Sequence, residues 1–292
     1  MTVLEEDEVE ALERAAAAPA ASTSGSAALE QQQQQQQHRE QQQQQQQVAA
    51  GASKRVIDEG ELLTSTFEHR LFTFGPMALM AASLATAASH VGSGGDALAA
   101  AGAVFAAYVL SDIGTGFYHW GVDNYGDSKT PFFGSQIAAF QGHHQKPWTI
   151  TQREFCNNVF QPATGPAALL LAVSPFLPVG PGFFLPSFIF LACMSQQFHA
   201  WSHMKKSELP GVVVALQDAG ILIGRRAHGA HHKPNFDGNY CIVSGWWNEP
   251  LDNSGVFRFL EKAIAARTGV EPRCWYPPQD DWEEQAQPQA AR

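Results

Sequence analysis

Eight of the eleven histidines in this 292-residue chain fall into four short groups. They are His119; His143 and His144; His199 and His203; and His228, His231 and His232. Neutral imidazole is a common ligand for transition metals. On a helix, His199 and His203 stand four apart on one face, with β-carbons ~6 Å apart. His228, His231 and His232 follow an i, i+3, i+4 pattern that also selects one face. Asp123 lies one turn beyond His119, and Asp112 lies two turns before it, so the three share a stripe at about 100° per residue. Asp112 in an apolar run marks a functional position, and it is placed to accept the second N–H of a ligating imidazole. The remaining histidines, His38, His69 and His90, read as solvated or interfacial.

These groups need elements that bring them together. Four apolar stretches stand out: Leu71 to about Val91, Ala97 to Tyr118, Ala163 to about Val179, and Phe183 to Phe198. The first two match the ~20 residues that a helix needs to cross the hydrocarbon core. A fifth stretch, Gly211 to Gly224, is too short to span and reads as an interfacial or re-entrant helix. All 18 Lys and Arg residues lie outside 71–128 and 154–204. If those segments form two helical hairpins, every basic residue falls on one side of a bilayer, the bias expected of one membrane face. The ends of runs two and four, the His143–His144 loop and the segment after Gly224 fall on that same side. The expected fold is therefore all-α: an integral membrane bundle of about four transmembrane helices plus an interfacial helix, with a His-rich metal site at one face.

The rest of the chain bounds this reading. Residues 22–50 hold Ser/Gly-rich sequence and two glutamine runs, which bury too little apolar surface to offset chain ordering. Residues 1–58 are therefore expected to be a disordered region, a candidate transit sequence with an acidic opening that argues against one. Residues 59–282 form the membrane domain, and 283–292 a disordered tail. The net charge of −10 comes with no basic, aromatic-interleaved patch, so nucleic acid is not an expected partner. Cys156, Cys193, Cys241 and Cys274 show no CxxC pairing and read as reduced or buried thiols. Thr151 and Glu154 fit a capping box opening a helix, and Pro147 and Pro234 stop a local helix after each HH pair.

Eight imidazoles and a carboxylate exceed the needs of one ion, since a catalytic zinc takes three protein ligands. Nitrogen-rich ligation suits iron, copper, zinc or nickel, and spacing alone does not choose among them. Haem ligation by His pairs in a non-enzymatic membrane protein is the alternative outside enzymes; it leaves the HH pairs unexplained.

The segments GFYHWGVDNYGD (116–127), FQGHHQKPWTIT (140–151), SQQFHAWSH (195–203) and AHGAHHKP (227–234) resemble the Kua/plasmanylethanolamine desaturase family of lipid desaturases, most closely its plastid branch. LQDAG (216–220), NYCIVSGWWN (239–248) and CWYPPQDDW (274–282) extend the resemblance over about residues 65–282. It implies a membrane oxidoreductase with two iron ions and dioxygen as co-substrate. The implied reaction forms a trans double bond at carbon 3 of palmitate in phosphatidylglycerol. An ether-lipid (plasmanylethanolamine) desaturase and a lipid hydroxylase are the enzyme alternatives. The implied metal ligands are His119, Asp123, His143, His144, His199, His203, His228, His231 and His232, with Asp123 standing where many membrane desaturases carry a histidine. A ferredoxin or another plastid redox protein would supply electrons. The implied location is a chloroplast membrane, with the endoplasmic reticulum as alternative. Lys146, Arg153, Arg225 and Arg226 are placed to attract an anionic lipid headgroup.

Overall fold

The computed structural model describes residues 63–161 and 173–277. Helix α1 runs Phe67–Ser89 and opens with a reciprocal cap: the Thr66 hydroxyl accepts from the His69 amide, and the His69 ring accepts from the Thr66 amide. Helix α2, Gly94–Asn124, is capped by Ser93, whose hydroxyl accepts from the Asp96 amide. Helix α3 is Gly134–Gln145 and α4 is Val179–His203. Shorter helices follow: α5 Gly211–Asp218, α6 Arg225–His231, α7 Asn248–Ser254 and α8 Val256–Thr268. Among the described residues no strand occurs.

Helices α1, α2 and α4 are long and apolar enough to cross a membrane, and bear out three of the four expected spans. The other expected span, Ala163 to Val179, lies mostly outside the described residues, as do the expected disordered region over 1–58 and the tail over 283–292. The 31 residues of α2 would extend roughly 46 Å at 1.5 Å per residue, beyond the ~30 Å hydrocarbon core. A helix of that length exceeds the core by several turns, and its last turns carry His119 and Asp123. The short segment after Pro210 forms α5, too short to span. One local expectation is corrected. Thr151 does not open a helix; it ends a 3-10 turn over Thr149–Thr151, and helical residues begin at 155. The Glu154 carboxylate instead accepts from the Ser65 amide at 2.9 Å and pairs with Arg70.

Helix α4 packs against both α1 and α2, α6 packs on α4, and α3 on α2. Met80 of α1 meets Ile189 and Cys193 of α4 in one buried cluster. Gly182 of α4 sits so close to α1 that a β-carbon there would lie 2.9 Å from that of Ala87. Leu71, Phe74, Leu98, Phe105, Leu110 and Phe190 point outward from the three long helices, as side chains facing lipid do. All four cysteines are free and buried.

Candidate metal centre

The four histidine groups converge at the C-terminal ends of four helices. His119 and Asp123 come from the end of α2, His143 and His144 from the end of α3, and His199 and His203 from the end of α4. His228 and His231 lie on α6, and His232 caps it. Helix α3 stops one residue before Pro147 can continue it, because the residue preceding proline is pushed out of helical geometry. His90, by contrast, stays exposed at the far end of α1.

The nine residues sort into two sets, in each of which the ligand atoms lie within 4.8 Å of one another. One set holds His143, His199, His203, His228 and His232; the other holds His119, Asp123, His144 and His231. The adjacent pair His143–His144 is thereby divided between the sets, since neighbours on a helix point about 100° apart. The triplet divides as well: His228 and His232, four apart, face one set, and His231 faces the other.

The donor chemistry fits cations. Asp123 Oδ2 lies 3.2 Å from His119 Nε2 and 3.4 Å from both His144 Nε2 and His231 Nε2. His119 Nδ1 is 2.9 Å from the Tyr240 carbonyl, and His231 Nδ1 is 2.8 Å from that of Gly238. A neutral imidazole that donates its Nδ1–H to a carbonyl keeps a lone pair on Nε2. Those lone pairs face a buried carboxylate, an arrangement that a cation between them makes favourable. In the other set, His203 Nε2 lies 2.9 Å from His143 Nε2 and 2.9 Å from His228 Nε2, while His232 Nε2 is 3.1 Å from His228 Nε2. Among the described residues neither ring nitrogen of His199 finds a hydrogen-bond partner, although the side chain is buried. Burial and the neighbouring imidazoles hold His143, His144 and His228 well below the ordinary histidine range. The same causes bring His232 to about 2. These groups therefore stay neutral, as ligation requires.

Supports of the site come from segments that carry no ligand. The carboxylate of Asp112 does not meet an imidazole, as its position in the sequence suggests; that expectation is corrected. Its Oδ1 accepts the amides of Val243, Ser244 and Gly245 at 3.1, 2.8 and 3.0 Å, and its Oδ2 accepts that of Trp247 at 3.3 Å. Four unpaired amides of a buried loop attract a carboxylate more strongly than a distant imidazole can. The loop so fixed begins at Tyr240, the residue that receives His119. Arg273, buried, donates to the Asp123 carbonyl at 3.4 Å. Glu261 of α8, also buried, accepts from the indoles of Trp120 and Trp275 at 3.2 and 2.8 Å.

A cavity of about 850 Å³ opens between α2, α3, α4 and residues 149–161. His143 and His199, both of the five-imidazole set, form part of its wall, with Phe140, Phe188, Ile150 and Ala192 nearby. Of the basic residues suggested by the sequence, only Arg153 lines it. Arg225 donates to the His203 carbonyl at 2.6 Å, Arg226 is exposed, and Lys146 is half-buried. His69, read from the sequence as an interfacial imidazole, also lines the cavity. Its spacing from the other histidines carried no signal; its stacking on Phe160 arises only on folding.

Long apolar helices ending in nine clustered His and Asp side chains that could hold metal ions define an integral membrane protein with a candidate metal site. The comparisons with known proteins agree. Residues 108–275 match the lipid desaturase domain, and the chain belongs to that family. It is 45% identical over 229 residues to fatty acid desaturase 4, chloroplastic, of Arabidopsis thaliana, covering 76% of this chain and 69% of the relative. Fatty acid desaturase 4-like 1, chloroplastic, of the same plant is 43% identical, with 77% of each chain covered. The plasmanylethanolamine desaturase of Myxococcus xanthus is 33% identical over 59% of this chain and 62% of its own. No solved structure matches. The protein is thus an oxidoreductase of the desaturase type, a multi-pass membrane protein of the chloroplast.

Proposed function

We propose that the chain is a di-iron, dioxygen-dependent desaturase that forms the trans double bond at carbon 3 of palmitate in phosphatidylglycerol. The observation that carries this reading is the cavity whose wall includes His143 and His199. Its volume falls within the ~300–1,000 Å³ of sites that enclose small ligands, so an acyl segment held there lies against the ligand set. One iron would be held by His143, His199, His203, His228 and His232, and the other by His119, Asp123, His144 and His231. When bound, the iron pair supplies the oxidising power: dioxygen, two electrons and two protons, with the two hydrogens removed from the acyl chain, give the alkene and two waters.

The chain's own groups do the rest. Tyr240 and Gly238 carbonyls hold His119 and His231 by their Nδ1–H groups, so that Nε2 faces inward. Phe140 and Phe188 keep the cavity wall apolar beside the ligands, which excludes water from the reacting carbons. The ligands sit at helix ends, near the headgroup layer, and carbon 3 lies close to the ester that anchors the chain there. That depth suits a bond near the carboxyl end. The higher identity to the plant relatives favours phosphatidylglycerol over an ether lipid. A ferredoxin or similar plastid redox protein is the electron source in this reading.

The test is expression in a host that lacks trans-3-hexadecenoate, with iron and reductant supplied, followed by acyl analysis of each lipid class. The new bond in phosphatidylglycerol is expected, and its loss in His231→Ala but not in His90→Ala. A vinyl ether or hydroxylated product instead would reject the proposed reaction.

A further inference from the structure

Helix α7 carries none of the nine candidate ligands, yet two of its side chains reach the peptides that hold the four-ligand set. The Tyr240–Cys241 peptide receives His119 Nδ1 on its carbonyl at 2.9 Å. The amide of that same peptide, on Cys241, donates to Asn248 Oδ1 at 2.7 Å. The Gly238–Asn239 peptide repeats the arrangement. Its carbonyl lies 2.8 Å from His231 Nδ1. Its amide, on Asn239, donates to the Asp252 carboxylate, at 3.0 Å from Oδ2 and 3.4 Å from Oδ1. Asn248 and Asp252 stand four apart on α7, so one helix face meets both peptides. Gly238 leaves room for this approach, because a β-carbon there would lie 2.8 Å from Asp252 Oδ2.

Hydrogen bonds in series polarise one another. An acceptor on the amide N–H makes the carbonyl of that peptide a better acceptor. The carbonyl in turn draws the imidazole Nδ1–H and raises the basicity of Nε2. The two relays differ in charge, since Asn248 offers a neutral amide oxygen and Asp252 a carboxylate, whose hydrogen bonds are roughly twice as strong. We infer that Asn248 and Asp252 are positioning residues of the metal centre: through the intervening peptides they fix the tautomer and aim of His119 and His231, and Asp252 makes His231 the stronger donor of the two. This role rests on the reading of His119, Asp123, His144 and His231 as a metal-holding set.

The test titrates the full chain in detergent micelles with Co²⁺ against a competing chelator, reading bound cation by visible absorption. Asp252→Asn keeps an oxygen for the Asn239 amide and gives up the charge; it is expected to weaken the four-ligand set about tenfold. Asp252→Ala should weaken it further, as should Gly238→Ala, whose β-carbon displaces the carboxylate. The affinity of the five-imidazole set should not move. Asn248 is buried, so Asn248→Ala is judged by the ratio of the two affinities, which a loss of stability shared by both sets leaves unchanged. Glu249→Gln removes an exposed carboxylate from the same helix and should bind as the wild type does. In an Asp123→Ala background, where the five imidazoles remain, Asp252→Asn should change nothing. A tenfold weakening there too would reduce Asp252 to a general structural role and overturn the relay. Unchanged affinity in both Asp252→Asn and Asp252→Ala would overturn it as well. Weakening by Asp252→Ala alone would uphold the positioning and overturn the role of the charge. A wild-type chain that takes up no cation at the four-ligand set would sink the metal reading and the relay with it. Because the readout is cation binding, failure of the proposed reaction on lipid leaves the relay standing.

Discussion

Replacing Asp112 separates two roles that its place in the sequence leaves indistinguishable. The carboxylate is buried and accepts four backbone amides, three of them on a single oxygen at 2.8–3.1 Å. Leaving a buried donor unsatisfied costs about 1–3 kcal/mol. Asp112→Ala strips the three short bonds from Oδ1, so the expected loss is about 3–9 kcal/mol, a large part of a stability of roughly 5–15 kcal/mol. Asp112→Asn keeps one oxygen for those amides and gives up the charge, at about 1–3 kcal/mol. The loop so loosened carries the Tyr240 carbonyl that receives His119, so metal affinity should fall as a consequence of stability. Thermal melts in detergent micelles of the metal-free and metal-loaded chain, with metal content measured alongside, test this. The expected order is wild type, Asn, then Ala in both states. A metal-free Asp112→Ala chain that melts with the wild type but fails to load metal would refute the anchoring role and restore an imidazole partner.

Three further outcomes follow from the same geometry. A β-carbon on Gly116 would lie 2.5 Å from the buried Cys241 Sγ. Gly116→Ala should therefore cost about 1–3 kcal/mol by overpacking, and Cys241→Ala should recover most of it in the double variant; a melt of the single variant equal to wild type would refute the contact. Asp123→Ala should empty the four-ligand set and leave the five imidazoles loaded, lowering bound metal by about half when measured by mass spectrometry of the purified chain; complete loss or full retention would contradict two separate sets. In the metal-free chain, His143, His144, His228 and His232 are held neutral by burial, whereas the unfolded chain takes up protons below about pH 6.5. Stability then rises with pH wherever the unfolded state binds more protons, so melts in chelator should be flat above that value and fall steadily below it. Equal melts at pH 5 and 7.5 would reject the neutral cluster.

Much of the site is legible in the sequence because ligand type and helical spacing are local properties. The pairs His119–Asp123 and His199–His203 each lie four apart on one helix, and the structure places each pair as that spacing requires. The long apolar runs of α1, α2 and α4 are equally local. Corrections arise where a partner is distant. Thr151 has the residues of a cap, yet Glu154 is drawn to Ser65, 89 positions away. Asp112 lies on the ligand stripe, yet its partners are 131–135 positions away.

The sequence by itself determined the inventory: nine candidate ligands at one end of apolar helices long enough to span, because composition and periodicity act over a few turns. Only the tertiary structure decided how that inventory is divided. His143 and His144 are adjacent in the chain but serve different sets, since a helix turns successive side chains apart and the packing of α2, α4 and α6 sets what each one meets. The same packing turned His69 from an isolated interfacial residue into part of the cavity wall, through a contact with Phe160 that spacing along the chain cannot encode.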